Sequence, residues 1–243
     1  MPRQCFNSGL VPDNLYHGGY NVLLHQAQDC DHADDPMSLR DTVVREVHHR
    51  IKNHLQGVAG LLRQHADEHP ELRPIMDTAI TQIQAVAAIH GLQGKKVGSR
   101  VNLCDMVSSI ASTVGDLTNA QIVPSIMADS AMPAQISESE AVAIALILNE
   151  LIMNAVKHSP TSEDSRRIIR IGVTSARKAA QVRIFNQGKL PLGFNFERSQ
   201  ETGNGLSLVH SLLPVEGANL RIMAANGGVE TVMDLSPPIV ALH

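Results

Sequence analysis

With 243 residues, 43% of them hydrophobic, and a formal net charge of −4, the chain has the make-up of one large globular domain or two small ones, and its mild acidity argues against nucleic acid as a partner. Aromatic residues make up 2% and Trp is absent, so a core has to come from Ala, Val, Ile, Leu and Met, which suits packed helices. Cys5, Cys30 and Cys104 are too scattered for a disulfide framework or a metal site. The longest apolar run, "AVAIALIL" at 141–148, is too short for a membrane span, and no signal-peptide core opens the chain, so a cytoplasmic protein is expected.

Residues 1–35 mix Gly, Asn, Asp, Gln and His without periodicity and read as a disordered or regulatory tail. His25, Cys30, Asp31 and His32 lie there without zinc-type spacing and read as solvated polar residues. From Ser38 the pattern changes. Leu39, Val43, Val47, Ile51, Leu55, Val58 and Leu62 form one stripe on a helix of roughly seven turns. After the break "DEHPELRP", a second stripe runs through Leu72, Met76, Ala79, Ile83, Val86 and His90. The two predict an antiparallel helical hairpin over 36–93. A lone hairpin leaves much of its stripe wet, so the economical solution is a four-helix bundle made by two chains, a homodimer.

A Gly- and Lys-containing linker at 94–101 leads into a mixed segment over 102–236. A helix fits 103–114 and a strand fits 122–128. Ser137 with Glu140 is a capping-box signature opening an apolar helix to about His158. "RIIRIGVTSA" and "AAQVRIFN" alternate like adjacent strands joined at "RKA". A Gly-rich loop at 187–204, a short helix over "GLSLVHSLL" and two closing strands follow, with 237–243 as a tail. That order predicts an α+β sandwich, with helices on one face of a mostly antiparallel sheet.

Two groups of residues carry chemistry. On the first helix, His49 has Arg45, Lys52, Asn53 and Gln56 as one-turn neighbours, while His48 keeps company with Val44, Ile51 and Leu55. His49 is thus presented to solvent in a basic setting that favours an anion, and an exposed neutral imidazole is a competent nucleophile. Two ordinary surface histidines fit this helix equally well. In "LILNELIMNAVKHS", Glu150, Asn154 and Lys157 share one helical face, with His158 beside them. An acid, an amide oxygen and a cation on one stripe suit a nucleotide–Mg²⁺ site, and they also suit a polar stripe turned to solvent. Gly203 and Gly205 open the short helix, where free N–H groups and close backbone approach favour phosphate.

Together these pieces resemble a sensor histidine kinase. "REVHHRIKNHLQ" resembles the dimerisation and phosphoacceptor helix of the subfamily with the H-H-R-x-K-N-x-L-Q signature. "LNELIMNAVKHS" is similar to the N box of the GHKL ATP-binding fold, "GNGLSLV" to its second glycine box, and "GGVET" to its closing Gly-x-x-Thr; the likeness covers about 38–236. The resemblance implies ATP and Mg²⁺ as cofactors, autophosphorylation on His49, and transfer to an aspartate of a response-regulator receiver domain. It assigns Glu150 as base or holder of a metal-bound water and Asn154 to the metal. It places Lys157, His158, Asn186, Gly188, Gly203, Gly205, Leu206 and Thr231 around the nucleotide.

The first glycine box departs from the family's D-x-G-x-G, reading Asn186, Gln187, Gly188, Lys189, Leu190. Asn186 keeps an acceptor oxygen for adenine, and Leu190 replaces a glycine. No input domain is visible in the sequence, so a separate sensor protein or the tail would supply the signal. Two other readings are a degenerate kinase that docks regulators as a dimeric scaffold, and a serine kinase of the anti-sigma type. The H-H-R helix argues against the second.

Overall fold

The computed structural model describes residues 36–94, 100–128, 134–160, 167–176, 178–197 and 205–241; the expected N-terminal tail and Gly203 lie outside them. Helix α1 (Pro36–Glu68) carries the first stripe and α2 (Arg73–Gln93) the second, joined by a short 3₁₀ turn at Pro70–Leu72. The break falls where the sequence places it. Proline at 70 disfavours helical backbone at the preceding residue, and His69 has φ −128° and ψ 76°.

The two stripes have different fates. On α1, Ile51, Leu55 and Leu62 are half-buried, but Leu39, Val43, Val47, Val58 and Leu61 face solvent. On α2, Ile80, Thr81, Ala85, Ala87 and Ile89 are buried. Ala85 and Ile89 belong to the same core as the sheet residues Ile171, Val182 and Met233. Helix α2 is therefore shared: one side meets α1, and the other forms part of the sandwich. The sequence shows why, since "AITQIQAVAAIHGL" is apolar on more than one face, which marks a helix covered from two sides.

Strand β1 (Arg100–Asn102) occupies the end of the expected linker and pairs antiparallel with β3 (Gln135–Ser137), Val101 opposite Ile136. Helix α3 (Leu103–Thr118) starts at Asn102, whose Oδ1 accepts from the backbone N–H groups of Cys104 at 2.8 Å and Asp105 at 3.2 Å. It runs one turn beyond the expected end, to Asn119 in the left-handed region at φ 52°. Strand β2 (Gln121–Ala128) lies parallel to β4 (Ile168–Ala176). Strands β5 (Ala179–Asn186), β6 (Ala218–Ala225) and β7 (Gly228–Leu235) complete a five-stranded sheet of order β2-β4-β5-β7-β6, antiparallel apart from the β2–β4 pair. Helices α4 (Glu138–Lys157) and α5 (Gly205–Leu212) pack with α2 and α3 on that core. The expected α+β sandwich is the observed one.

Helix α4 is the one helix among the described residues long and apolar enough to cross a membrane; 61% of its apolar window is buried inside the fold, where it serves as the central core helix.

Two expectations need correction. Ser137 sits at the N-cap of α4, but its hydroxyl makes no cap bond, and the capping box does not form. The reason is local: the Ser137 backbone N–H, which the box acid would take, already donates to the Ile239 carbonyl at 3.0 Å. That bond also shows that, of the expected tail 237–243, the described residues 237–241 are not free. Ile239 is 0% and Val240 2% exposed, Val240 bridges Ile136, and the Ala241 N–H donates to Gln135 O at 2.8 Å. The expected tail begins with the Pro-Pro pair at 237–238, yet the apolar residues behind it close the edge of the β1–β3 sheet.

Ile239→Ala is expected to cost about 2–4 kcal/mol, because it opens a cavity in the core. The exposed Val215→Ala should cost within about 0.5 kcal/mol. Urea unfolding monitored by circular dichroism reads both; equal midpoints for the two variants would contradict the burial of the C-terminal segment.

Candidate functional site

A cleft of about 890 Å³ lies between α2 and the sandwich. Its α2 wall is Pro74, Ile75, Thr78, Ala79 and Gln82. Opposite stand Asn154, Lys157 and His158 of α4, Asn186 at the end of β5, Gly205 and Leu206 at the start of α5, and Thr231 of β7. Seven of the residues singled out in the sequence therefore line one space. The β5 alternation explains Asn186: it continues the inward series Ala180, Val182, Ile184 and so ends the strand with an amide turned to the core side.

Glu150 stands behind this wall rather than in it. It is 3% exposed, and Gln82 Nε2 donates to its Oε1 at 2.8 Å. A Cβ placed on Gly205 would collide with its Oε2, which is the local reason for glycine there. One residue earlier, Asn149 Nδ2 donates to Thr81 Oγ1 at 3.2 Å, and Thr81 Oγ1 donates to Thr78 O at 2.8 Å. Thr81, Asn149 and Glu150 are all buried, so the α2–α4 contact has a polar centre. Sequence reasoning missed Thr78, Thr81 and Gln82. Their signal is polar residues inside an otherwise apolar helix, although no spacing in the sequence connects 82 with 150.

The charge of the cleft is one-sided. Lys157 and Lys189 line it, and among the described residues no carboxylate does, since the nearby Glu150 is turned to Gln82. Leu151, Ala155, Leu206, Ile222, Val229 and Phe194 supply apolar surface. A flat apolar group bearing a polyanion suits such a space. Asn154 lines the cleft, its Nδ2 is buried without a partner, and its amide carries a hard oxygen of the kind Mg²⁺ takes. Gly188 allows close approach: a Cβ there would lie 2.7 Å from both Asn186 Nδ2 and the His158 carbonyl oxygen. These donors fit a nucleotide with its Mg²⁺. Among the described residues, no group of three His, Cys, Asp or Glu gathers at a metal-binding spacing.

His49 is elsewhere. It is exposed on α1, and its Nδ1 lies 3.3 Å from Asn53 Nδ2. His48 is half-buried, its Nδ1 3.0 Å from His90 Nδ1 on α2, with ring centroids 5.2 Å apart. The different surroundings read from the sequence are thus the observed ones. No α1 residue lines the cleft. His48 sits opposite His90, whereas the cleft begins at Gln82, eight residues or about 12 Å up α2. The geometry does not bring the imidazole and the cleft together.

Hairpin plus sandwich, with an N-box-like helix and glycine-flanked cleft, defines a GHKL-type nucleotide-binding fold joined to a helical hairpin. Residues 46–118 match a protein family described as histidine kinase. The sensor histidine kinase PdtaS of Mycolicibacterium smegmatis is 26% identical over 201 residues, covering 82% of this chain and 40% of that protein. Its counterpart in Mycobacterium tuberculosis is also 26% identical, over 202 residues. The blue-light-activated histidine kinase 2 of Erythrobacter litoralis is 21% identical over 92% of this chain and 64% of its own length. Among solved structures, the histidine kinase domain of a blue-light-activated kinase from Erythrobacter litoralis has a TM-score of 0.56 at 19% identity, covering 83% of this chain and 94% of that one, and so shares the fold. The chain is similar to these sensor histidine kinases, and it spans 40% of the length of the PdtaS proteins it matches.

Two outcomes are expected at the hairpin–sandwich contact. Gln82→Leu leaves the Glu150 carboxylate without its donor and should cost about 1.5–3 kcal/mol, whereas Gln82→Leu with Glu150→Leu should recover most of that loss. A chemical-denaturation double-mutant cycle measures it, and full additivity of the two substitutions would refute the contact. The second outcome concerns pH. Burial first, and the nearby His48 second, hold the His90 imidazole below its ordinary 6.5. The unfolded chain then binds the proton at higher pH than the folded one, so stability falls as pH drops below 6.5 and levels off beneath the folded value. His90→Gln should therefore shrink the fall in melting temperature between about pH 7.5 and 5.5; an unchanged fall would refute it.

Proposed function

We propose that the chain is an ATP-dependent protein histidine kinase that phosphorylates itself on His49 and passes the phosphoryl group to an aspartate of a receiver domain. The observation that carries this reading is the cleft bordered by Lys157 and Lys189, with no lining carboxylate among the described residues, beside a hairpin that presents an exposed imidazole. Residues 36–93 serve as the phosphoacceptor and dimerisation hairpin, and 102–236 as the ATP-binding domain.

In this reading Lys157 and Lys189 hold phosphate oxygens, with Gly205 at the start of α5 beside them. Asn154 holds Mg²⁺, which when bound neutralises charge on the transferring group. Asn186 and Thr231 face the base, and His158 edges the same space. Glu150, held against Gln82 behind the cleft wall, takes no base role in this reading and instead ties α4 to α2. On the hairpin, His49 needs a lone pair at Nε2. A flip of the Asn53 amide lets its oxygen accept from Nδ1–H and fixes that tautomer. The N–P bond forms as the β–γ bridging P–O bond breaks, and the bridging electron pair leaves with ADP.

The separation of about 12 Å or more along α2 means that transfer requires the sandwich to leave this docked position or to serve the His49 of a second chain. The exposed Leu39, Val43, Val47, Val58 and Leu61 support a homodimer through α1, since a paired hairpin would cover them. The reading carries a cytoplasmic location. The scaffold reading, in which the dimer docks regulators without turning over ATP, is favoured by one feature: Leu190, where the family has glycine.

Incubation with Mg²⁺ and γ-labelled ATP tests the proposal. The protein should acquire an acid-labile, base-stable label. The label should disappear in His49→Gln, persist in His48→Gln, and disappear with Mg²⁺-dependent nucleotide binding in Asn154→Ala. Full labelling of His49→Gln would overturn the acceptor assignment, and absence of nucleotide binding by the wild type would favour the scaffold.

A further inference from the structure

One wall of the cleft is a strip of chain with no regular structure of its own. Lys189, Leu190, Pro191, Phe194 and Asn195 line the cleft, and no strand or α-helix carries residues 187–197. Within the strip, the Phe194 N–H donates to Pro191 O at 3.0 Å and the Glu197 N–H to Asn195 Oδ1 at 2.8 Å. Both bonds shape the strip, but neither fastens it to the rest of the fold.

A fastening comes from α5. His210 Nε2 lies 2.6 Å from the Phe196 carbonyl oxygen; a carbonyl only accepts, so the imidazole carries a proton on Nε2 and donates it. The same two residues also stack, with ring centroids 4.0 Å apart and planes 13° from parallel. Phe196 packs against the hydrophobic core on its way out of the wall. His210 follows Val209, which is 0% exposed, so the imidazole stands on a helix seated in that same core. One side chain thus grips both the backbone and the ring of the residue next to Asn195. Phenylalanine at 210 would stack without donating, and glutamine would donate without stacking.

We infer that His210 is the positioning residue of this wall: it keeps Phe194 and Asn195 in place and so sets how tightly the cleft retains a nucleotide. His210 does not line the cleft, so its effect on binding passes through the wall. The inference rests on the nucleotide reading above for the ligand, whereas the fastening is a property of the protein alone.

Two measurements on the full chain test it. The sequence has no Trp, so the indole introduced by Phe194→Trp is a single fluorophore on the wall. In that background His210→Ala should raise acrylamide quenching about twofold, because the wall opens locally. His210→Phe and His210→Gln should each fall between the two. Val209→Ala is the comparison: the cavity under α5 should lower the melting temperature and leave quenching unchanged. With Phe194 in place, calorimetry with Mg²⁺ and ATP should show affinity falling at least about tenfold in His210→Ala.

Unchanged quenching in His210→Ala overturns the inference, as does an equal rise in Val209→Ala, which would mean general loosening. Wild-type ATP affinity in a folded His210→Ala protein also overturns it, and leaves the nucleotide reading standing. Absence of ATP binding by the wild type overturns both together. If His210→Ala does not fold, wild-type quenching and affinity in both His210→Phe and His210→Gln overturn the inference.

Discussion

The structure turns on a small polar contact in an apolar place. Gln82 to Glu150 and Asn149 to Thr81 join α2 to α4 through side chains that are buried or nearly so. Each group would cost free energy if left without its partner, far more than a matched pair gains over water. The pairing therefore fixes register more than it adds stability: α2 can slide or turn against α4 only by stranding a carboxylate and an amide. Everything functional is referred to that register. It sets the α2 wall of the cleft, turns the carboxylate of Glu150 away from the ligand space, and leaves Lys157 and Lys189 as the charges that a ligand meets.

How much of this was legible in the sequence follows from the range of the interactions concerned. Helices α1 and α2, the break at Pro70 and the alternation of β4 and β5 are set by neighbours a few residues apart, and period alone reveals them. The clustering of Asn154, Lys157, His158, Asn186, Gly205, Leu206 and Thr231 was legible through likeness to a known fold, not through spacing. What was not legible depends on partners distant in sequence. The Ser137 capping box looked complete, but the competing acceptor is Ile239, a hundred residues later. Residues 237–243 read as a tail, and Ile239 and Val240 among them are core. The second buried side of α2 was visible as excess hydrophobicity, while the identity of its partner was not.

The two faces of the hairpin divide its work. The side with Ile80, Ala85 and Ile89 is already satisfied within the chain, whereas the α1 residues Leu39, Val43 and Val47 stay wet. A hairpin with both faces satisfied would have no reason to associate, and one with both exposed would not hold its sandwich. His48 and His90 sit where α1 and α2 meet, so the imidazole next to His49 is tied to the inner helix while His49 stays exposed.

The sharing of α2 has a mechanical consequence. A residue on a helix is displaced by about 100° when the helix turns by one residue. A turn of that size in α2 would put Ile83 or Thr81 in place of Gln82 and leave Glu150 facing a methyl-bearing side chain. The same turn would part His90 from His48. Torsion applied to the hairpin and the hydrogen bonding of the buried carboxylate are thus one degree of freedom, and α2 works as the shaft that connects them.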